Sequence, residues 1–159
     1  MNKRIFFALI LIMVISTGAA FADFGIGVHG AFNGVVDIVP SGGLTLGFDN
    51  KVFVYFDAVG IYHFLGAFDF VNFVYTPIVK TLFFYVRLGL GFSLWNLDNP
   101  ENLHFATAVR VPIGISWRPI KLIELFAQVL PQVGVEFLPE QKIWNNWFGG
   151  NVGVRFWFG

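Results

Sequence analysis

The stretch that decides the fold is Trp147-Phe-Gly-Gly-Asn-Val-Gly-Val-Arg-Phe-Trp-Phe158. Its even-numbered residues are all apolar or glycine: Phe148, Gly150, Val152, Val154, Phe156 and Phe158. Its odd-numbered residues include Asn151 and Arg155. Because side chains alternate between the two faces of a β-strand, this strand has one apolar face and one more polar face. A soluble sheet turns the apolar face toward a core, whereas a membrane barrel turns it toward lipid.

The composition of the chain favours the membrane barrel. The chain is 56% hydrophobic and only 13% charged, whereas an average soluble domain has about 25% charged residues. After residue 22, Gly, Asp, Asn, Arg or Pro interrupts every apolar run, well short of the roughly 20 residues that a spanning helix needs. Without such a helix, a closed barrel is the structure that satisfies every backbone hydrogen bond in lipid.

The first 22 residues have the three parts of a secretory signal peptide. Lys3 and Arg4 precede an apolar run, and Ala20-Phe-Ala22 supplies the small residues of a cleavage site. We expect cleavage after Ala22, so that residues 1–22 are the signal peptide and residues 23–159 form a single barrel domain. The alternative is an uncleaved membrane anchor. The apolar run is near the lower limit of the length that a spanning helix needs.

The alternating pattern recurs upstream and predicts eight antiparallel strands connected up and down, each about as long as a tilted strand that crosses a bilayer. The predicted strands are 23–32, 42–48, 52–62, 68–76, 82–94, 104–117, 123–137 and 147–158. Short turns are predicted at 49–51, 77–80 and 118–121, and loops at 33–41, 63–67, 96–102 and 139–146.

Two details of these strands can be checked directly. In strand 68–76, Asn72 is placed inward, which puts Phe73 and Tyr75 outward. Pro112 and Pro131 lie inside predicted strands, where each removes a backbone donor. We therefore expect a bulge or the end of strand pairing near each proline.

The C-terminal stretch resembles the terminal signal of bacterial outer-membrane β-barrels: a polar residue, a glycine two positions later, and then alternate aromatic residues. The residues that match are Asn151, Gly153, Phe156 and Phe158, whereas Gly159 stands where that family usually ends in an aromatic residue. The resemblance implies that the insertion machinery reads this strand and that it pairs with the first strand. The whole chain is similar in pattern to the small eight-stranded barrels of the OmpA transmembrane domain, OmpX and OmpW groups.

The polar residues on the inward faces are the candidate functional site: Asp57, Arg87, Arg110, Glu124, Gln128, Asn151 and Arg155. The interior of an eight-stranded barrel is just wide enough to be filled by side chains. Charges buried there must be paired and hydrogen-bonded, and the arginine fork suits carboxylates. The pattern therefore predicts a polar network that fills the lumen.

Two functions fit a barrel of this kind in the bacterial outer membrane. One is a structural or surface-exposed cell-envelope protein with a filled lumen. The alternative is a porin-like narrow channel or transporter for small solutes or apolar molecules. The inward aromatics would suit an apolar ligand: Phe53, Tyr55, Phe126 and Trp157. The expected partners are outer-membrane lipids, the barrel insertion machinery and an extracellular partner at the loops. A third possibility is a soluble lipocalin-like barrel, with its arginines outside.

Little in the sequence indicates enzymatic, cofactor or nucleic-acid chemistry. Gly25-Ile-Gly27-Val-His-Gly30 has the spacing of a dinucleotide-binding loop, but the strand pattern continues through it. We expect its glycines to make room for large lumen side chains instead. The chain has no cysteine and no basic cluster, which argues against cysteine-based sites and nucleic-acid binding.

A lipid hydrolase would use the histidines with a serine. The candidates are His29, His63 and His104 with Ser93, Ser116 and Glu124. Because these residues are scattered along the sequence and most are predicted to face the lumen, we predict no enzyme activity. The histidines also lack the spacing of a metal-ligand pair, so we predict no metal and no cofactor.

Overall fold

The structure is a computed structural model that describes residues 23–33, 39–59, 63–144 and 148–159. The predicted signal peptide lies outside these residues, as do Trp147 and positions 60–62 of the predicted third strand. The cleavage after Ala22 therefore stays a prediction.

The described residues form antiparallel strands and one turn of 3-10 helix, Pro100–Asn102. The strands are β1 Phe24–Asn33, β2 Val39–Phe48, β3 Val52–Ala58, β4 His63–Val79, β5 Leu82–Trp95, β6 His104–Arg110, β7 Ile113–Ile120, β8 Ile123–Leu138, β9 Lys142–Trp144 and β10 Phe148–Phe158. No helix in this part of the chain is long and apolar enough to span a membrane.

The strands close into a ring. β1 pairs with β2 on one side and with β10 on the other, and β10 also pairs with β8. β6 and β7 are two halves of one interrupted strand, because each lies between β5 and β8. The ring therefore has eight positions, which confirms the predicted eight-stranded antiparallel barrel. The short β9 adds to the outer part of β8.

The two prolines lie where strand pairing changes, as predicted. Val111 and Pro112 separate β6 from β7, and the Val111 amide donates to the Pro131 carbonyl at 2.9 Å. Pro131 lies between Val129, which pairs with β7, and Gln132, which pairs with β6. Losing a backbone donor at each proline is the physical reason for both changes.

Side chains alternate between the inside and the outside of the ring. Val28 and Val152 are 55% and 61% exposed on the outside, whereas Tyr55 and Arg155 are fully buried inside. This is the inverted arrangement of a membrane barrel, with the apolar side chains outside.

The predicted loop 63–67 is wrong, because these residues form the first part of β4. The predicted loop 33–41 is wrong at its ends, because Asn33 belongs to β1 and residues 39–41 to β2, while 34–38 lie outside the described residues. Residues 77–79 also belong to β4, so that turn is confined to Lys80 and Thr81. Longer strands leave fewer residues in connections.

Strand β4 also departs from simple alternation. Its pairing with β5 shifts register between Asp69 and Val71 and again between Asn72 and Val74. Each shift inserts one extra residue and changes which residues face inward. Asn72 and Phe73 lie as predicted, but Tyr75 pairs with the buried Tyr85, so its predicted outward position is wrong.

The barrel has a turn end and a loop end. The turn end carries both chain termini of the barrel and the short turns 49–51, 80–81 and 121–122. There the Asp49 amide donates to the Asp23 carbonyl at 2.8 Å. The loop end carries the longer connections, including 96–103 and the segment after β8 that contains β9. In bacterial barrels the short turns face the periplasm and the longer loops face outward.

The expectation that the glycines of the dinucleotide-like motif make room for large lumen side chains holds for Gly25 only. Gly27 instead allows the backbone of β10 to approach β1 closely. A Cβ at Gly25 would lie 3.0 Å from the Trp157 ring, and one at Gly27 would lie 1.9 Å from the Val154 carbonyl oxygen. Gly30 has open space around it. Two of the three glycines of the dinucleotide-like motif are therefore explained by close contacts with β10.

Candidate functional site: the barrel lumen

All seven residues of the predicted network lie on inward faces of the ring. Arg87 is on β5, Arg110 on β6, Asp57 on β3, and the rest are on β8 and β10. Six of them are buried, and Asp57 is partly exposed. The structure does not join them into one network but divides them among several pairs.

The pair in the turn half of the lumen is Glu124 with Arg155. The Arg155 guanidinium donates to Glu124 Oε2 at 3.0 Å, to Tyr55 Oη at 3.0 Å and to Thr45 Oγ1 at 2.9 Å. Its three nitrogens therefore all have partners, as a buried arginine requires.

Glu124 is bonded from three further directions. Ser116 Oγ donates to its Oε1 at 2.6 Å, and Trp157 Nε1 donates to its Oε2 at 2.7 Å. Arg118 approaches Oε2 at 3.5 Å from the turn end. Both oxygens of this buried carboxylate are occupied, and charge-assisted bonds of this kind are the strongest in proteins.

Aromatic rings fill the space around these charges. The Arg155 guanidinium lies 4.0 Å from the centre of the Phe126 ring. Arg87 lies between two rings, 3.6 Å from the centre of Phe53 and 3.8 Å from that of Tyr85. Such cation–π contacts stabilise a desolvated arginine. The turn half of the lumen is thus packed with alternating guanidinium groups and rings.

Arg87 has no carboxylate partner among the contacts of the described residues. Its Nε donates to Asn72 Oδ1 at 2.9 Å, whereas its two terminal nitrogens are buried without a hydrogen-bond partner. The Asn72 amide continues the contact toward the turn end, donating to the carbonyls of Asn50 and Lys51 at 3.1 and 3.2 Å.

Arg110 pairs with Asp69, a residue that the sequence analysis missed. The two nitrogens Nε and Nη2 approach the two carboxylate oxygens at 2.8 and 3.1 Å, which is a bidentate contact. Asp69 is fully buried, and the absence of a Cβ at Gly89 leaves room for its carboxylate. Asp69 was missed because the register shift between Asp69 and Val71 restarts the alternation, so that Asp69 and Asn72 both face inward although they are three positions apart.

Two histidines also have acidic partners that the sequence did not indicate. His29 Nε2 lies 2.7 Å from Asp57 Oδ1 in the loop half of the lumen. At the loop end, His104 contacts Glu136, which Lys142 also approaches at 3.3 Å. Four lumen carboxylates are therefore each next to a basic side chain: Asp57, Asp69, Glu124 and Glu136.

The remaining two predicted residues are uncharged. Gln128 accepts a hydrogen bond from Tyr85 at 2.8 Å. Asn151 is buried, and its Oδ1 lacks a partner in the part of the chain that is described. Asn151 lies at the edge of a small cavity of about 30 Å³, whose polar lining also includes Asp57, Arg110 and Gln132. A space of that size holds about one water molecule.

One histidine contact has the composition of a catalytic pair. His63 Nε2 lies 3.0 Å from Ser93 Oγ near the loop end. Ser93 is 1% exposed and faces the lumen, so a substrate cannot reach its oxygen in this arrangement. Within the described residues there is no group of three or more side chains able to hold a metal ion.

The residues of the terminal signal fall on both faces of β10. Asn151 and Gly153 face the lumen side, and Phe156 and Phe158 are exposed on the outside. β10 pairs with β1 from Phe158 opposite Phe24 to Gly149 opposite Asn33. This is the closing contact that the resemblance implied.

Comparisons with known proteins agree with this architecture. No protein-family model matches the chain, and no curated protein matches it. Among solved structures, the N-terminal β-barrel domain of Pseudomonas aeruginosa OprF is similar with a TM-score of 0.59 and 16% identity, over 87% of this chain and 98% of that one.

Two further solved structures are similar at lower scores. Ail, the attachment invasion locus protein of Yersinia pestis, has a TM-score of 0.42 and 15% identity, over 86% of this chain and 97% of its own. Neisserial surface protein A has a TM-score of 0.43 and 10% identity, over 85% of this chain and 94% of its own. Taken with the closed ring of eight strand positions, the likeness to the OprF barrel shows that this chain has the fold of the small outer-membrane β-barrels.

Proposed function

We propose that this chain is an integral protein of the bacterial outer membrane, with a structural or surface role, and that its own side chains close its lumen. Three features support the location: the apolar outer face, the predicted signal peptide and the barrel fold. The observation that supports a closed lumen is the packed layer of side chains around Glu124 and Arg155. There a fully bonded ion pair and the rings of Phe53, Tyr55 and Phe126 occupy the interior.

The ion pair at the centre of this layer has no group free to bind a passing solute. Both oxygens of Glu124 and all three nitrogens of Arg155 have partners within the barrel. Opening a path would require breaking several of these contacts at once, and removing one partner of a buried ion pair costs about 3–5 kcal/mol. A closed resting state is therefore favoured. We also propose that the role is non-enzymatic.

The alternative is a narrow channel. Two observations favour it: the unpartnered terminal nitrogens of Arg87, and the small polar cavity beside Asn151. In a channel, these groups would contact water or ions that cross the barrel. Transport is therefore the second candidate function.

Single-channel recording separates the two. Residues 23–159 are refolded, inserted in a planar bilayer and checked by heat-shifted gel mobility, with a porin inserted by the same protocol as the positive control. We expect no discrete current steps, because the packed layer excludes ions. Steps that change in amplitude in Arg87→Ala would identify a channel and contradict the proposal.

The partners follow from the same location. We propose that the insertion machinery recognises the terminal strand through Phe156 and Phe158, which are exposed on its outer face. The surface role would depend on the loop end, where Asp98, Glu101 and Glu140 are exposed. An extracellular partner that binds there would complement these acidic side chains.

A further inference from the structure

A depression of about 740 Å³ lies at the turn end of the barrel. Its cationic lining consists of Lys80, Arg118 and Lys121, and Trp157 and Phe83 form part of its floor. A volume of this size is typical of pockets that bind small molecules. Two of its lining residues, Arg118 and Trp157, also contact Glu124 in the lumen, whereas its two lysines take no part in the lumen contacts described above.

The two lysines are brought together by the strand order. β5 pairs with β7, and the Arg118 amide donates to the Thr81 carbonyl at 2.7 Å. This contact places the turn that contains Lys80 beside the turn that contains Lys121. Both lysines are exposed, so their ammonium groups are available to a ligand.

Arg118 adds a third cation with a free donor. Its Nη2 is held by Asn50 and lies near Glu124, and its guanidinium is 4.4 Å from the centre of the Trp157 ring. Its Nε is buried and has no partner among the described residues. The side chain is therefore fixed in place while one of its donors remains unused.

Exposed aliphatic residues flank both lysines. Val79 precedes Lys80 and is 58% exposed, and Ile120 and Leu122 on either side of Lys121 are 54% and 46% exposed. In a barrel, such residues place the turns at the membrane surface, where lysine heads reach the level of the lipid phosphates. A ligand that is both anionic and attached to acyl chains fits this setting.

The charge distribution differs between the two ends. In the described residues, the turn end exposes Lys51, Lys80 and Lys121 with the acid Asp23, whereas the loop end exposes Asp98, Glu101 and Glu140 with the base Lys142. The one acid that lines the depression is Asp23. An anion is therefore attracted to the turn end, and to the depression in particular, where three cations converge.

We propose that this depression binds the phosphate of an anionic phospholipid headgroup. Lys80 and Lys121 contact the phosphate, Arg118 supplies a further donor, and the flanking aliphatic residues contact the acyl chains. The inference rests on the membrane location in the proposed function but does not depend on whether the lumen conducts. It assigns a lipid site to the periplasmic end of the barrel.

Native mass spectrometry can count single bound lipids. The refolded barrel in neutral detergent is titrated with dioleoylphosphatidylglycerol or with dioleoylphosphatidylcholine, after heat-shifted gel mobility has confirmed folding. We expect tighter binding of phosphatidylglycerol. Affinity should fall up to about fivefold for each lysine removed, since one exposed contact between unlike charges contributes up to about 1 kcal/mol. The double variant Lys80→Gln/Lys121→Gln should therefore lose up to about 25-fold.

Lys51→Gln is the matched control, because Lys51 is exposed at the same end but does not line the depression. It should bind phosphatidylglycerol nearly as the unchanged barrel does. An equal loss in Lys51→Gln would show diffuse attraction instead of a site and would overturn the proposal. Equally tight binding of free glycerol 3-phosphate would show that the depression binds phosphate without its acyl chains, and would overturn the proposal that the ligand is a phospholipid. Failure to form the folded barrel would instead count against the proposed function.

Discussion

Replacing Glu124 with alanine is expected to lower the free energy of unfolding by about 3–5 kcal/mol, because it leaves the Arg155 guanidinium buried without its carboxylate. Glu124 also accepts bonds from Ser116 and Trp157, which lose their acceptor in the same change. Urea unfolding in lipid vesicles, followed by tryptophan fluorescence, measures the difference.

Glu140→Ala is the control for that measurement. Glu140 is an exposed acid near the loop end, so its removal should change the unfolding free energy by less than about 0.5 kcal/mol. The double variant Glu124→Ala/Arg155→Ala should recover part of the loss, since neither buried charge is then left alone. Equal stability of Glu124→Ala and Glu140→Ala would show that the pair is not desolvated.

Replacing Gly27 with alanine is expected to destabilise the barrel by about 1–3 kcal/mol, the usual cost of forcing an extra methyl group into a packed site. The new Cβ would lie 1.9 Å from the Val154 carbonyl oxygen and 2.8 Å from the Arg155 Cα. Both atoms belong to the backbone of β10, so β1 must move away from its closing partner. The same urea unfolding measures the loss.

Gly30→Ala on the same strand is the matched control. A Cβ at Gly30 has nothing within 4 Å, so that variant should be about as stable as the unchanged barrel. Equal destabilisation by both substitutions would point to the general cost of altering β1, and would contradict the close contact assigned to Gly27.

Side-chain alternation made the ring predictable from the sequence. In β5, β8 and β10 the predicted inward and outward faces agree with burial in the structure, because lipid outside and a packed lumen inside impose a strict period of two. Arg155 and Glu124 could be placed inside on this basis alone. That they lie opposite each other could not, because alternation gives the faces of each strand but not the register of β8 against β10.

Strand β4 was less predictable for a physical reason. A β-bulge adds one residue to one strand, and the alternation restarts on the opposite face. Two such shifts lie between Asp69 and Val74. One unbroken alternation of inward and outward residues therefore could not assign both Asn72 and Tyr75 to the correct face. Asp69, the partner of Arg110, was missed for the same reason.

The central claim is that the apolar outer face contacts lipid, and fluorescence quenching tests it most directly. The chain has no cysteine, so Val28→Cys, Leu90→Cys and Val152→Cys each give one site for a fluorophore on the outside of the barrel. Asp98→Cys and Glu140→Cys are the matched sites in the loops. In vesicles of brominated lipid, we predict quenching at the first three sites and little at the two loop sites. Equal, weak quenching at all five, with the protein remaining in solution, would contradict the account.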